Sequence, residues 1–390
     1  MLTEDRIPAV PARATVRSVG GLDQDVRRLW RETDPARIVR VATAALAVDR
    51  FAPCRTPLWG VVDGGRAGVG VTARLRAVSL LAADDFLTGQ WDECTRLADE
   101  GIALCARRGY RRLADPLRLV RAHVAAARGE HTTATALLAD VADPGSRRVP
   151  APGRTAHQVS AVVALAGGDP ERAFEHATAV GPAGTLPAHD HATLAVAGDL
   201  VEAARRTGRT HEAECHARAM RAAPLAARSP RFAMLALGAH AVAVSPGAAA
   251  AGLFEGALSM PDAERWAFDH ARIELAYGSH LRRDRRTGPA RRHLEAALAA
   301  LDRLAAEPWA ARCRDELRTV GWRVDTSRRG WHHARRCPRT STRSPRWPPR
   351  DSPTNRSPRG STSPRAPSRP ASTRCSPSWG SPPAPPCATP

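Results

Sequence analysis

The chain contains no lysine, a single asparagine (Asn355), two tyrosines and six phenylalanines in 390 residues. Each shortage excludes something. Without Lys there is no P-loop, whose Lys reaches the phosphates of a nucleotide. With aromatics at 4%, a β-sandwich or barrel would lack the side chains that cover a pleated surface, so the expected fold class is all-α. No run of 18 or more apolar residues occurs, and no segment is expected to span a membrane. The first residues carry Glu4 and Asp5 without an apolar core, unlike a secretory signal. The eight Cys, at positions 54, 94, 105, 215, 313, 337, 375 and 387, form no CxxC pair. Several fall at apolar helix positions, where a reduced Cys behaves as a small hydrophobe. A cytoplasmic location with free thiols is the expectation.

What the chain has in excess is Arg, unevenly spread. Residues 327–390 hold 13 Arg against one acid, Asp351, and so carry +12 of the formal net charge of +19. The first 326 residues carry the remaining +7, ordinary for a chain of that length. The pI of about 11.2 therefore belongs mostly to the tail, and a basic pI by itself is no reason to assign nucleic-acid binding to the rest.

Gly89, Gly129, Gly168, Gly208, Gly247 and Gly288 are separated by 40, 39, 40, 39 and 41 residues. Self-similarity at that period marks a stacked helical array. Five residues after each Gly stand Cys94, Ala134, Ala173, Ala213, Gly252 and His293; nine after it stand Ala98, Leu138, Ala177, Ala217, Gly256 and Ala297. Small residues four apart share a helix face and admit a neighbouring helix closely. Each Gly is expected to turn helix A into helix B, as a residue that takes φ > 0 without cost. In Gly168-Asp169-Pro170-Glu171, Asp169 suits the N-cap and Pro170 the first helical position. One further helix is expected over Pro35 to Ala47, with Ile38, Val39, Val41, Ala42 and Leu46 on its apolar side. These patterns divide the chain into a poorly ordered segment (1–33), a tetratricopeptide-like superhelix with a period of about forty (34–326), and a disordered Arg/Pro/Ser-rich tail (327–390).

Two phrases carry a family likeness. Gly89-Gln90-Trp91-Asp92-Glu93 followed by Leu97-Ala98-Asp99-Glu100-Gly101 is similar to the tetratricopeptide-like units of LuxR-type transcription regulators, in particular the large MalT-like group of actinobacteria. Pro261-Asp262-Ala263-Glu264-Arg265-Trp266 and Ala271-Arg272-Ile273-Glu274-Leu275-Ala276-Tyr277-Gly278 resemble the last repeats of that group, continued by Arg282-Arg283 and Glu307-Pro308-Trp309-Ala310. The likeness covers roughly residues 34–321. It implies a scaffold between an ATPase module and a C-terminal helix-turn-helix that binds DNA in the major groove. This chain departs from that plan at both ends. It has no Walker A loop before residue 70, and just after Val324 the sequence turns into Arg, Pro, Ser and Trp.

The tail has 15 Pro from Trp331 onward and no apolar periodicity, so it cannot bury enough surface to offset its ordering entropy. It reads either as a basic arm that grips phosphates or as a reading-frame slip in a GC-rich gene. Ser376-Pro377-Ser378-Trp379-Gly380 can be encoded TCC-CCA-AGC-TGG-GG, which one base out of frame reads F-P-K-L-G. Pro338 to Thr354 similarly permits L-S-P-H-E-Y-E-I-A and then L-A-A-A-G-L-T. Joined, the strings look like a LuxR-type helix-turn-helix, and the fixed Trp codons agree with them.

The remaining candidates read better as structure than as chemistry. His211 and Cys215 lie four apart on a helix, as two metal ligands could, without a third. His189-Asp190-His191 falls at a helix start, where these side chains serve the helix end; His332-His333 lies in the tail. The Gly-rich stretch 64–70 lacks G-x-G-x-x-G spacing and suits a linker. Glu175–His176 suits a solvated face, and no Ser sits in G-x-S-x-G. No catalytic, cofactor-binding or metal-binding residue is assigned, no cofactor is expected, and the chain is expected not to be an enzyme. Trp91, Trp266 and Trp309 could line a groove, though a Trp in a helical repeat more often fills a gap between layers. Arg282, Arg283, Arg285 and Arg286 form a basic cluster that suits an acidic partner or a helix C-terminus. Two functions follow. One is the regulatory part of a LuxR-type regulator, with a protein or small-molecule effector on the repeat surface and DNA bound by the helix-turn-helix of intact relatives. The other is a stand-alone tetratricopeptide-like adaptor with a basic arm. As written, the chain should contact DNA at most non-specifically, through its tail.

Overall fold

The computed structural model describes residues 19–64, 70–141, 151–187, 191–245 and 247–321, all within one compact unit, Met1–Thr342. The tail 327–390, with His332, His333, Cys337, Cys375 and Cys387, lies outside them, as do His189 and Asp190. Regular structure among the described residues is entirely helical: the fold is all-α. The helices are α1 Val19–Arg28, α2 Pro35–Leu46, α3 Arg55–Val62, α4 Val71–Leu87, α5 Trp91–Arg108, α6 Asp115–Arg128, α7 His131–Val141, α8 Ala151–Ala166 and α9 Pro170–Val180. There follow α10 His191–Arg206, α11 Thr210–Ala222, the single turn α12 Leu225–Arg228, α13 Pro230–Ala243, α14 Ala248–Leu258, α15 Ala267–Arg283, α16 Thr287–Leu304 and α17 Glu307–Thr319. None of these is long and apolar enough to cross a membrane.

Within the segment 1–33, expected to be poorly ordered, residues 1–18 lie outside the described residues, and α1 and a 3-10 turn, Leu29–Arg31, occupy most of the remainder. Val26 and Leu29 are buried there, so the segment docks through an apolar edge its composition hides. α2 starts as its sequence directs, with Asp34 accepting from the Ala36 N–H at 3.0 Å ahead of Pro35.

Helices pair as α4/α5, α6/α7, α8/α9, α10/α11, α13/α14 and α15/α16. Gly89, Gly129, Gly168 and Gly208 stand at the first four turns with φ of 77°, 82°, 78° and 77°. At each of them the following N–H closes the helix back onto a carbonyl five residues earlier, as when Glu130 donates to Ala125 at 2.8 Å. The last two turns differ from expectation. In the sixth, Arg285 takes the left-handed conformation, φ 59°, and Arg286 donates to the Leu281 carbonyl at 2.9 Å. Gly288 lies inside α16. Counted from Arg285, the positions five and nine later are Ala290 and Leu294, both fully buried. In the fifth, Gly247 is the N-terminal flank of α14, with α13 already ended at Ala243. Burial there follows Ala250 and Phe254, five and nine after Ser245, so the exposed Gly252 is off the buried face. In the sixth turn the left-handed residue is the exposed Arg285, three before Gly288, while in the fifth Gly247, φ 146°, does lie in the connection, just ahead of α14.

The first helix of each pair packs on the next, through α4, α6, α8, α10, α13, α15 and α17, and α17 packs back on α6. The Phe86, Trp91, Phe268 and Trp309 rings bridge this junction, with centroids 5.9, 5.2 and 5.0 Å apart in succession. Trp91 is anchored by its indole N–H, which donates to the Phe86 carbonyl at 3.0 Å. Arg272 lies over both Phe268 and Trp309, at 5.5 and 5.6 Å. Trp91, Trp266 and Trp309 are all buried, at 1, 3 and 1% exposure, so they fill gaps and line no open groove. Trp266 packs with Met234, Phe254 and Tyr277 between α13, α14 and α15.

Candidate functional site

Where the first helices converge, charged side chains stand on faces their sequence makes apolar. Asp199 interrupts Val196, Ala197, Leu200 and Val201 on α10, and it is 5% exposed. One turn on, Glu202 shares its partner: Arg272 Nη2 lies 2.7 Å from Asp199 Oδ1 and 2.7 Å from Glu202 Oε2. Arg312 Nη1, from α17, reaches the other Glu202 oxygen at 2.8 Å. Arg206 stands 3.6 Å from that same oxygen. Beside this group Arg231, at the start of α13, binds Asp269 at 2.6 Å. Ser229 caps α13 by accepting from the Phe232 N–H at 3.0 Å, and its own hydroxyl donates to Asp49 beyond the end of α2. Four carboxylates and four guanidiniums thus tie the α2 end, α10, α13, α15 and α17 into one interior network.

Burial and charge act against each other in it. Burial raises the Asp199 carboxyl despite Arg272. For Glu202 burial acts upward, and the combined pull of Arg312 and Arg272 overturns it, holding the carboxyl well below the usual range. Removing water from an ion pair costs several kcal/mol per ion, so an arrangement with every charge matched is a lock whose parts depend on one another. A second cluster sits at the α3–α4 junction. Arg55 binds Asp84 at 2.6 Å and Asp85 at 2.8 Å, and Arg265 reaches Asp84 from the turn before α15 at 3.6 Å. Burial, only partly offset by Arg55, raises the Asp85 carboxyl to about 6.

An open cleft of about 230 Å³ between α15 and α17 is lined by Leu275, Ser279, Arg282, Arg312, Asp315, Glu316 and Thr319. Arg312 therefore belongs to both the cleft and the interior network. That makes the cleft the candidate site: an anion entering it meets a guanidinium whose present partner is Glu202. No protein-family model matches the chain, and no curated protein matches it. The network itself could not be found by spacing, since Arg272 and Arg312 lie 70 and 110 residues from Glu202. The available signal was a charge on an apolar stripe, which Asp199 supplies.

Of the sequence-derived candidates Arg282 lines this cleft, and the others lie elsewhere. His211 Nε2 and Cys215 Sγ are 3.5 Å apart on α11; among the described residues no group of three potential ligands gathers around a point. His191 opens α10 and meets Phe232 edge-on at 5.8 Å. His176 faces His157 across α8 and α9, ring nitrogens 3.2 Å apart, beside an exposed Glu175. Arg282 pairs with Glu316, and Arg283 donates to its own helix at the Ser279 carbonyl, so this basic cluster is partly spent internally. Cys54, Cys94 and Cys313 are buried thiols that burial pushes up to about 12, far from nucleophilic use. Buried His216, pushed down to about 4, accepts the Gly184 N–H at Nδ1, 3.1 Å, and so supports the loop after α9.

Proposed function

We propose that this chain is the regulatory helical-repeat part of a LuxR-type transcription regulator, and that residues 327–390 are its helix-turn-helix read one base out of frame. The observation that carries the reading is that both helix-turn-helix-like windows, around Trp347 and around Trp379, need the same one-base shift. Because TGG is the only Trp codon, the bases TG close a shifted Leu codon in both places. The repeat scaffold with its Gly89–Gly101 and Pro261–Gly278 phrases supports the family side of the proposal. On this reading the effector is anionic and enters the α15–α17 cleft, where it competes with Glu202 for Arg312.

The test is the gene. Inserting or deleting the one base that restores the shifted frame near Thr326 to Trp331 should give a chain that footprints a defined duplex and holds it at moderate salt. The chain as written should bind DNA weakly, with an affinity that falls steeply with salt. A corrected chain that folds but protects no duplex sequence refutes the proposal.

A further inference from the structure

We infer that the turn between α5 and α6 is a docking surface for single-stranded nucleic acid, with Arg107, Arg108, Arg111 and Arg112 taking phosphates and Tyr110 stacking on a base. The inference is independent of the proposed regulator function and of the tail. All six residues of Arg107-Arg108-Gly109-Tyr110-Arg111-Arg112 are exposed. Tyr110 is 41% exposed and, with Trp30, is one of the two large apolar side chains left open among the described residues. An open phenol ring flanked on both sides by paired guanidiniums is a stacking platform within a positive field. Arg, unlike Lys, matches a phosphate with a planar fork of donors.

The backbone that presents these groups is already bonded. Gly109 is left-handed at φ 74°, and the Tyr110 N–H donates to the Cys105 carbonyl at 3.0 Å. A 3-10 turn follows, in which the Leu113 N–H donates to the Tyr110 carbonyl at 3.1 Å and Arg118 Nη1 donates to the Arg111 carbonyl at 3.2 Å. A ligand would therefore order side chains only, which lowers the cost of binding. The C-terminus of α5 accounts for part of the preference for Arg107 and Arg108. It does not account for Arg111 and Arg112 beyond the turn, nor for leaving Tyr110 in water. An acidic peptide would be drawn by the charges but has no face for the ring.

The experiment uses the full chain and fluorescence anisotropy with a labelled oligothymidine, a duplex of equal length and a poly-glutamate peptide, from 50 to 200 mM salt. The Arg tail is common to every variant, so each variant is read as a difference from the parent chain. Arg107→Gln/Arg108→Gln/Arg112→Gln should lower the slope of log affinity against log salt by about 2 on the single strand. Tyr110→Ala should weaken the single strand about tenfold and leave the duplex unchanged, while Tyr110→Phe retains binding. Circular dichroism confirms that each variant is folded. An unchanged salt slope in the triple variant overturns the inference. So does an equal effect of Tyr110→Ala on duplex and single strand. Loss of poly-glutamate binding in the triple variant, with Tyr110→Ala silent on every ligand, also overturns it and assigns the surface to an acidic protein.

Discussion

Replacing Gly129 and Gly208 by Ala, one at a time, separates two reasons for a glycine at a helix-pair turn. Both residues are left-handed, at φ 82° and 77°, so an added Cβ costs each about 1–2 kcal/mol of backbone strain. The stiffening of the unfolded chain by Ala is the same for both and cancels. Their surroundings differ. A Cβ at Gly208 meets nothing within 4 Å, whereas at Gly129 it would stand 2.8 Å from Pro308 Cγ and 3.2 Å from Pro308 Cδ. Pro308 is in the first turn of α17, and its ring cannot rotate aside, so α17 must move. Overpacking of that kind costs roughly 1–3 kcal/mol. Gly129→Ala is therefore expected to lose about 1–3 kcal/mol more than Gly208→Ala in urea unfolding followed by helical circular dichroism, with unchanged m. Adding Pro308→Ala should remove most of the excess, because neighbouring substitutions couple. Equal losses for the two glycines would refute the closure of α17 onto α6.

Three further outcomes follow from the interior. Arg272→Met strands Asp199 and leaves Glu202 to Arg312 alone at close range, and should cost about 3–5 kcal/mol in thermal or urea unfolding; a loss below about 1 kcal/mol would mean the network is solvated. Trp309→Ala, which empties the space beside Phe268 and Arg272, should cost about 3–5 kcal/mol, and a near-neutral result would show that the junction is loose. For pH, the His216 imidazole is held near 4 in the fold against about 6.5 unfolded. The stability it contributes is present above pH 6.5 and lost as pH falls toward 4, by up to about 3 kcal/mol. Asp85, raised to about 6, acts with the opposite sign, its contribution present below about pH 4 and lost as pH rises through 6. In an Asp85→Asn background the acid loss should therefore steepen, and His216→Gln should flatten it; an unchanged pH profile in both contradicts the assignments.

The sequence by itself determined the helical class, the approximate period and four of the six turns. Those follow from local physics: few side chains suit strands, and Gly adopts φ > 0 at Gly89, Gly129, Gly168 and Gly208 wherever the rest of the chain lies. At the fifth turn Gly247 lies in the connection but out of register with the buried positions that follow, and at the sixth the exposed Arg285 takes the left-handed place while Gly288, inside α16, mimics the spacing. α1 was illegible, since its few apolar residues matter only once α2 is beside them. Only the tertiary structure decided that Trp91 and Trp309 are buried at one junction and that Asp199 and Glu202 meet Arg272 and Arg312. It also decided that Gly129 must be small as well as left-handed. These features join residues 70 or more positions apart in sequence, and their energies come from burial and charge pairing that do not exist until the helices converge.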